Sequence, residues 1–374
     1  MKKTLIIRLY FKNAIHIGAS TPGIGIEGTD NLIIHSDTLW AALCNNWAIA
    51  GRGAGISFDT FLNSFKAGDP LFKISSAFPC SDEEFWLPKP LSVPFPFSKS
   101  NPEPDDPDNK KEIKSLNFIK LSHFKNWIGF DETAEETGID EIADEENQPK
   151  KMADILRPHN TLDRISLASQ IYHSGTTYFD AEKQSGFYFL LQTEEEKCQK
   201  VKSALEQILG IIQDTSGIGG NRSIGLGTIR DIEFLGFEET GNHQDDWEAI
   251  FPGNDEGKNA YCLLSLWHPN SIGDEPTGND VYHETAVSYN MVLRKGWTGS
   301  LSVAHQVKRK TAHMFSEGSV FTTKPDGHLL DLSPDETPSG RPYPHPIYRY
   351  GYALTVPMKI DHDDWMIERG ERHV

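Results

Sequence analysis

The feature that most restricts how this chain folds is a helix, a glycine run and a strand in direct succession. From Thr193 to Gln213, "TEEEKCQKVKSALEQILGIIQ" carries Val201, Leu205, Ile208 and Ile212 at spacings of four, three and four, which is one apolar face of an α-helix. Then comes "DTSGIGGNRSIGLGTI", with five glycines between Gly217 and Gly227, and a strand-like "LGTIRDIEFLGF". The order of elements matters. Nucleotide loops run from a strand into a helix, so that phosphate meets the positive helix N-terminus. This loop leaves a helix instead, and a helix C-terminus is partly negative. It also lacks the Walker GxxxxGK[ST] pattern and the GxGxxG spacing. Two readings stay open. One is a bare backbone with free N–H groups that follows a sugar–phosphate chain, Arg222 and Ser223 serving as polar grips. The other is a plain turn between helix and strand. A literal GxGxxG does occur as "GIGIEG" (Gly23 to Gly28), but the next helix starts only near Ser36, so the context for a dinucleotide site is missing.

Upstream, "TLIIRLYF" (4–11) alternates Leu5, Ile7, Leu9 and Phe11 against Thr4, Ile6, Arg8 and Tyr10, the pattern of a half-buried strand. "IIHSDTLWAALCNNWAIAG" predicts a helix with Leu39, Leu43 and Trp47 on one face, Ser36 as N-cap and Gly51 as stop. The prolines of "FWLPKPLSVPFPF" predict an extended connection rather than a helix or central strand. "LDRISLASQIYHSGTTYFD" and "GFYFLLQ" read as strands or a hairpin. Strand, helix, strands, helix, strand is the βαββαβ order of a ferredoxin-like or RRM-like unit with inserted loops. The polar stretch 238–259 marks the best domain boundary, and the chain beyond it is β-rich.

Net charge is −18, which argues against nucleic acid until its distribution is considered. Residues 101–149 hold 14 Asp or Glu against 5 Lys, so half the excess sits in 49 residues that read as solvated, mobile insertions. No run reaches the roughly 18 apolar residues of a membrane span. Arg8 and Lys12 interrupt the apolar start, against a signal peptide. Cys44, Cys80, Cys198 and Cys262 form no CxxC pair, which speaks against zinc and disulfides and for a reducing cytoplasm.

Four segments resemble the RAMP superfamily of CRISPR proteins, and more specifically the subunit-four family of type III-A Csm effector complexes. They are "IHSDTLWAAL" (34–43), "LDRISLASQIYHSG" (162–175), "GGNRSIGLGTI" (219–229) and, towards the C-terminus, "VLRKGW", "KRKTAHMFSEGSV" and "YRYGYAL". The resemblance implies an α+β fold with two ferredoxin-like (RRM-like) domains. Residues 1–240 would form the first, with inserted acidic loops and a thumb-like hairpin; 258–374 would form a β-rich second. It further implies a non-catalytic, cytoplasmic RNA-binding subunit without cofactor or metal. Such a subunit binds the repeat-derived 5′ tag of the crRNA, joins the large signalling subunit to the backbone RAMP subunits, and meets target RNA only indirectly. By position, the tag site would include His35, Ser36 and Thr38 at the helix start, Gly219, Gly220, Asn221, Arg222, Ser223 and Gly225 in the loop, and Arg164 in the hairpin.

Bland alternatives stand beside these assignments. Ser36 and Thr38 fit simple capping, and Asp37 would repel phosphate and so serve the helix dipole or point away. Arg164 has Asp163 beside it for a local ion pair. The basic run Lys308, Arg309, Lys310 fits a solvated face as well as an RNA contact. His16, His35, His159 and His173 are where a metal-independent RAMP endoribonuclease, the alternative function, would place its acid–base group. Asp30 is left uncatalytic, and "DHDDW" (361–365) reads as an acidic tail.

Overall fold

The computed structural model describes residues 1–17, 26–27, 32–51, 55–81, 84–92, 116–129, 142, 149, 152–163, 168–179, 184–269, 285–298, 307–336 and 340–360. Asp30, Arg164, Asp361 to Trp365 and most of the acidic stretch 101–149 lie outside the described residues.

Strand β1 (Lys2–Phe11) leads into β2 (Ala14–Ile15), β3 (Ile26–Glu27), α1 (Ser36–Ala50) and α2 (Phe58–Lys66). Next are β4 (Lys73–Ile74), β5 (Phe78–Ser81), β6 (Glu84–Pro88), β7 (Phe118–Lys120) and α3 (Leu121–Trp127). A long hairpin, β8 (Met152–Leu162) and β9 (Ser169–Phe179), precedes β10 (Gly186–Glu194), α4 (Glu195–Ile211), β11 (Ile229–Leu235) and α5 (Gln244–Ile250). The second half contributes β12 (Ala260–Leu263), β13 (Ala286–Ser288), β14 (Met291–Arg294), β15 (Ala312–Phe315), β16 (Val320–Phe321), β17 (Leu329–Asp331), β18 (Tyr348–Tyr350) and β19 (Thr355–Met358). This is a mixed α/β fold with largely antiparallel sheets and, among the described residues, five α-helices.

The main sheet runs β11-β1-β10-β5-β6-β7, with β4 also on β10, and a second sheet runs β13-β16-β12-β19. Cross-strand register places Leu5 opposite Leu191, Ile7 opposite Phe189 and Leu9 opposite Phe187. That face is covered by Leu39, Leu43 and Trp47 of α1, Phe61 and Phe65 of α2, and Val201, Leu205 and Ile208 of α4, all buried. Trp47 stacks on Phe61 with ring centroids 4.3 Å apart and donates its indole N–H to Ile56 O at 2.8 Å. The indole therefore contributes apolar area without leaving its polar atom unpaired.

In four places the structure departs from the sequence-based expectation. Strand β1 is covered on both faces, because Phe85, Tyr188 and Trp247, together with Cys262, Val320 and Val356 of the second sheet, form a further core around Ile6. Residues 84–88 form a strand between β5 and β7, its proline at the terminal position, where a missing N–H costs little. The stretch 238–259 contains α5, whose fully buried Trp247 stacks on Phe237 at 5.8 Å. Within the acidic stretch, Ile142 is buried in the same second core, so at that residue the stretch is anchored rather than solvated.

Candidate nucleic-acid interface

Helix α4 ends in a π-turn, Ile212–Ser216, and the glycine loop then doubles back against the end of β1 and β2. The N–H groups of its base are used inside the protein. Gly217 donates to Ile212 O (2.8 Å), Ile218 to Gly227 O (2.9 Å), Gly220 to His16 O (2.8 Å) and Gly227 to Ala14 O (2.7 Å). A Cβ on Gly227 would lie 1.8 Å from Ile218 O, and its φ of +72° disfavours a side chain in any case. The base is therefore glycine-rich because two strands of its own backbone cross there. The tip differs. Asn221, Arg222, Ser223, Ile224 and Gly225 are exposed, with a 3-10 turn at Arg222–Ile224, and a Cβ on Gly225 would meet nothing within 4 Å. The His16 ring, Nδ1 at 2.6 Å from Gly175 O, ties this base to β9 and so to the hairpin. Strands β8 and β9 pair from Met152↔Phe179 to Leu162↔Ser169, and the turn that holds Arg164 lies outside the described residues.

Helix α1 presents its N-terminus to the second half of the chain. His35, not Ser36, occupies the N-cap position. Ser36 is fully buried; its N–H donates to Ser76 Oγ (2.8 Å) and its hydroxyl accepts from the Leu266 N–H (3.1 Å). The orphan donor of the first turn is thus met by a serine from another element, and the Ser36 hydroxyl is free to fasten the second half. The buried His35 Nδ1 lies 3.0 Å from Glu317 Oε1, which also accepts from the Ser76 hydroxyl. Burial pushes the Glu317 carboxyl up, but the His35 charge and these hydrogen bonds outweigh it and hold the group below its ordinary value.

Asp37 neither points away nor merely faces the helix dipole. It is buried and accepts two hydrogen bonds from Arg294, Nε at 2.9 Å and Nη2 at 2.8 Å, and a third from Arg349 Nη1. Arg294 Nη2 also donates to Thr38 Oγ at 2.9 Å. Around this clamp is a cavity of about 210 Å³ whose lining includes Thr38, Gly219, Arg222, Arg294, Arg309 and Arg349. Four arginines face one lining carboxylate, Asp37, for a formal local charge of +3 within a chain of net charge −18. Burial lowers the Arg349 pKa to about 10, still cationic at neutral pH; it also lowers Arg294, and Arg309 with a further contribution from neighbouring Arg294. The buried Nε atoms of Arg309 and Arg349 have no hydrogen-bond partner. Crowded, under-satisfied guanidinium groups are chemically suited to phosphate, which they can meet with paired donors.

The residues singled out from the sequence fall into three groups. Thr38, Gly219 and Arg222 meet in the cavity; Asn221, Ser223 and Gly225 form the exposed tip beside it. Gly220 is fastened to His16, while His35 and Ser36 lie buried behind the cavity wall. Arg309 belongs to the basic run weighed as an RNA contact, whereas Arg294 and Arg349 are not singled out by the sequence, although all three lie in the C-terminal segments "VLRKGW", "KRKTAHMFSEGSV" and "YRYGYAL". Among the described residues no group of three or more His, Cys, Asp or Glu is placed to hold a metal ion, and no helix is long and apolar enough to cross a membrane.

Those same segments are where the family is visible. The family model of the CRISPR Csm4 C-terminal domain matches residues 256–358. A "CRISPR system Cms protein Csm4" of Thermococcus onnurineus (strain NA1) is 28% identical over 330 residues, 88% of this chain and 92% of the relative. The protein of that name from Methanocaldococcus jannaschii is 22% identical over 408 residues, 97% of this chain and 99% of the relative. Residues 256–358 thus match the Csm4 C-terminal domain, and over most of its length the chain is similar to proteins named Csm4. Its fold is similar to that of a chain in the Csm3–Csm4 subcomplex of the type III-A CRISPR-Cas interference complex (TM-score 0.59, 17% identity, 96% of this chain and 100% of that one). A chain of the Csm1–Csm4 cassette in complex with pppApA is also similar (TM-score 0.53, 17% identity, 97% and 100%). The segment matching the Csm4 C-terminal domain thus supplies Arg294, Arg309 and Arg349, and the glycine loop supplies Arg222.

Proposed function

We propose that this chain is a non-catalytic RNA-binding subunit of a type III-A CRISPR effector complex. It binds the repeat-derived 5′ tag of the crRNA, joins the large signalling subunit to the backbone RAMP subunits in the cytoplasm, and meets target RNA only through that assembly. The observation that carries this reading is the four-arginine cavity between α1, the glycine loop and the second half of the chain. Phosphate enters it against Arg222, Arg309, Arg294 and Thr38, while Asn221, Ser223 and Gly225 line the approach and His35 and Ser36 hold the wall from behind. Arg164 is assigned to the tag–guide junction on the hairpin. Relatives of similar fold come from Csm3–Csm4 and Csm1–Csm4 assemblies, which supports the bridging role.

Two ferredoxin-like domains, 1–240 and 258–374, belong to the same reading. The βαββαβ order with pairing β11-β1-β10-β5 supports the first; the four-stranded sheet β13-β16-β12-β19 supports the second.

Recognition here is of backbone charge. With three uncompensated guanidinium groups, log K for single-stranded RNA falls with log salt at a slope of about −2. The test is binding of tag RNA by the purified full-length chain across a salt series in EDTA. Arg222→Ala weakens binding and makes the slope shallower by about 0.7, with thermal stability unchanged. Unaltered affinity in a natively stable variant removes Arg222 from the site. Clean cleavage of the RNA at one position overturns the non-catalytic reading in favour of a metal-independent endoribonuclease.

A further inference from the structure

We propose that Trp297, with Lys295 and Lys308 beside it, is a stacking platform for an unpaired base of single-stranded RNA, distinct from the arginine cavity and resting on the RNA-binding reading above. Past Arg294 the β14–β15 ribbon continues. Arg309 N–H donates to Gly296 O (3.1 Å), Trp297 and Lys308 form a β-bridge, and Thr298 N–H donates to Val307 O (2.8 Å). Arg309 lays its guanidinium across Gly296, where a Cβ would lie 2.6 Å from Nη2, and so reaches the cavity. Trp297 and Lys308, one position further along the ribbon, are not in the cavity lining and are exposed to water.

Trp297 is 58% exposed, whereas Trp40, Trp47, Trp86, Trp127, Trp247 and Trp267 are each at most 5% exposed. An indole of this exposure leaves unburied a large apolar face that the fold uses at the other six described tryptophans. Lys308 Nζ stands 5.5 Å from its ring centroid, and neither Lys308 nor Lys295 has a carboxylate partner among the described residues. Lys310, by contrast, is compensated, 2.6 Å from Asp335. A solvent-exposed indole with the Lys308 ammonium over its ring, in a chain of net charge −18, matches a ligand that is flat, aromatic and anionic. A nucleotide is all three: its base stacks on the indole, and its phosphate meets the lysines. A strand seated over Arg309 has Trp297 as the next ribbon position to meet.

The test uses the full-length protein, a short fluorescein-labelled oligoadenylate and an abasic ribose-phosphate chain of equal length, with anisotropy read across a salt series. Trp297→Ala weakens oligoadenylate binding roughly 5- to 150-fold and leaves the salt slope unchanged, because stacking moves no counter-ions. Trp297→Phe keeps most of the affinity, and the abasic chain does not distinguish wild type from Trp297→Ala. Lys308→Ala instead makes the slope shallower by about 0.7. Iodide quenching that is larger in wild type than in Trp297→Phe, the difference being relieved by oligoadenylate, gives a second readout independent of the alanine variant. Wild-type affinity in Trp297→Ala overturns the platform while the RNA-binding reading stands, and leaves the patch to a protein partner. A shallower slope in Trp297→Ala also overturns it, since the indole would then only position lysines. No binding of either chain by wild type overturns both readings.

Discussion

Replacing Asp37 by alanine removes the anion that three hydrogen bonds from arginines and one from the Thr38 hydroxyl hold at the centre of the arginine cluster. Its side chain is 2% exposed and that of Arg349 is 5% exposed, so the change leaves a guanidinium buried without a counter-ion. Breaking a buried pair from one side costs about 3–5 kcal/mol, well above the 0–1 kcal/mol of a surface pair. Cooperative units of this size lose roughly 2–4 °C of Tm per kcal/mol, so thermal unfolding should shift down by roughly 6–20 °C. The cavity charge simultaneously rises from +3 to +4. An anion bound there gains on the order of 2 kcal/mol at an effective dielectric near 20. The variant should therefore be less stable yet more strongly stabilised by polyanions. Thermal unfolding in chloride and in sulfate, for wild type and variant, separates the two effects, because the general salting-out action of sulfate is common to both. Adding Arg349→Met to Asp37→Ala should recover part of the loss, Arg294 remaining as the guanidinium that has lost its counter-ion. A loss below about 1 kcal/mol for Asp37→Ala, or equal sulfate responses in the two proteins, refutes the clamp.

Further outcomes follow from single residues. Gly227→Ala puts a Cβ 1.8 Å from Ile218 O and should cost several kcal/mol in chemical denaturation, whereas Gly225→Ala, with open space and only a φ of +90° against it, should cost about 1 kcal/mol. Burial, aided by neighbouring His328, lowers the His268 pKa from 6.5 to about 4. The unfolded chain binds more protons across that window, so stability falls as pH drops from 6.5 to about 4, and His268→Gln should flatten this part of a Tm–pH profile. Glu317, held below 4.5, adds stability that is present above that value and lost at more acidic pH; Glu317→Gln should remove this second loss. Ile142→Ala should cost about 2–5 kcal/mol, while acid-to-serine exchanges in 131–141 should leave denaturation midpoints within about 0.5 kcal/mol.

Local periodicity made the scaffold readable. Val201, Leu205 and Ile208, and Leu39, Leu43 and Trp47, fall on the buried faces predicted from their spacing, because a helix that buries one side writes that side into its own sequence. The second covering of β1 was not readable. Ile6 shares a core with Val320 and Val356, more than three hundred residues away, and alternation within eight residues carries no trace of them. The site divides in the same way. Arg222 announced itself beside glycines, and Thr38 sat at a helix start. Arg309 stood out only as part of a basic run, and Arg294 and Arg349 look like scattered strand residues until the fold turns them toward one carboxylate. Asp37 was read by its charge alone, as repelling phosphate, when its role depends on which cations reach it. Glycine composition could not say whether N–H groups were free; those of Gly217, Ile218, Gly220, Ile224, Gly225 and Gly227 all donate within the protein.

Asp37 and Arg349 are 312 positions apart and nonetheless share one hydrogen bond. The cavity wall therefore has no owner in either half of the chain. A fragment ending before Glu256 would keep Arg222 and lose three guanidinium groups, while a fragment starting there would expose those three with no Asp37 to order them. A proteolytic cut in the 238–259 stretch that let the halves part would thus abolish the anion site without altering a residue of it. By the same logic, Asp37→Ala should be less damaging in company with a neutral replacement of Arg349.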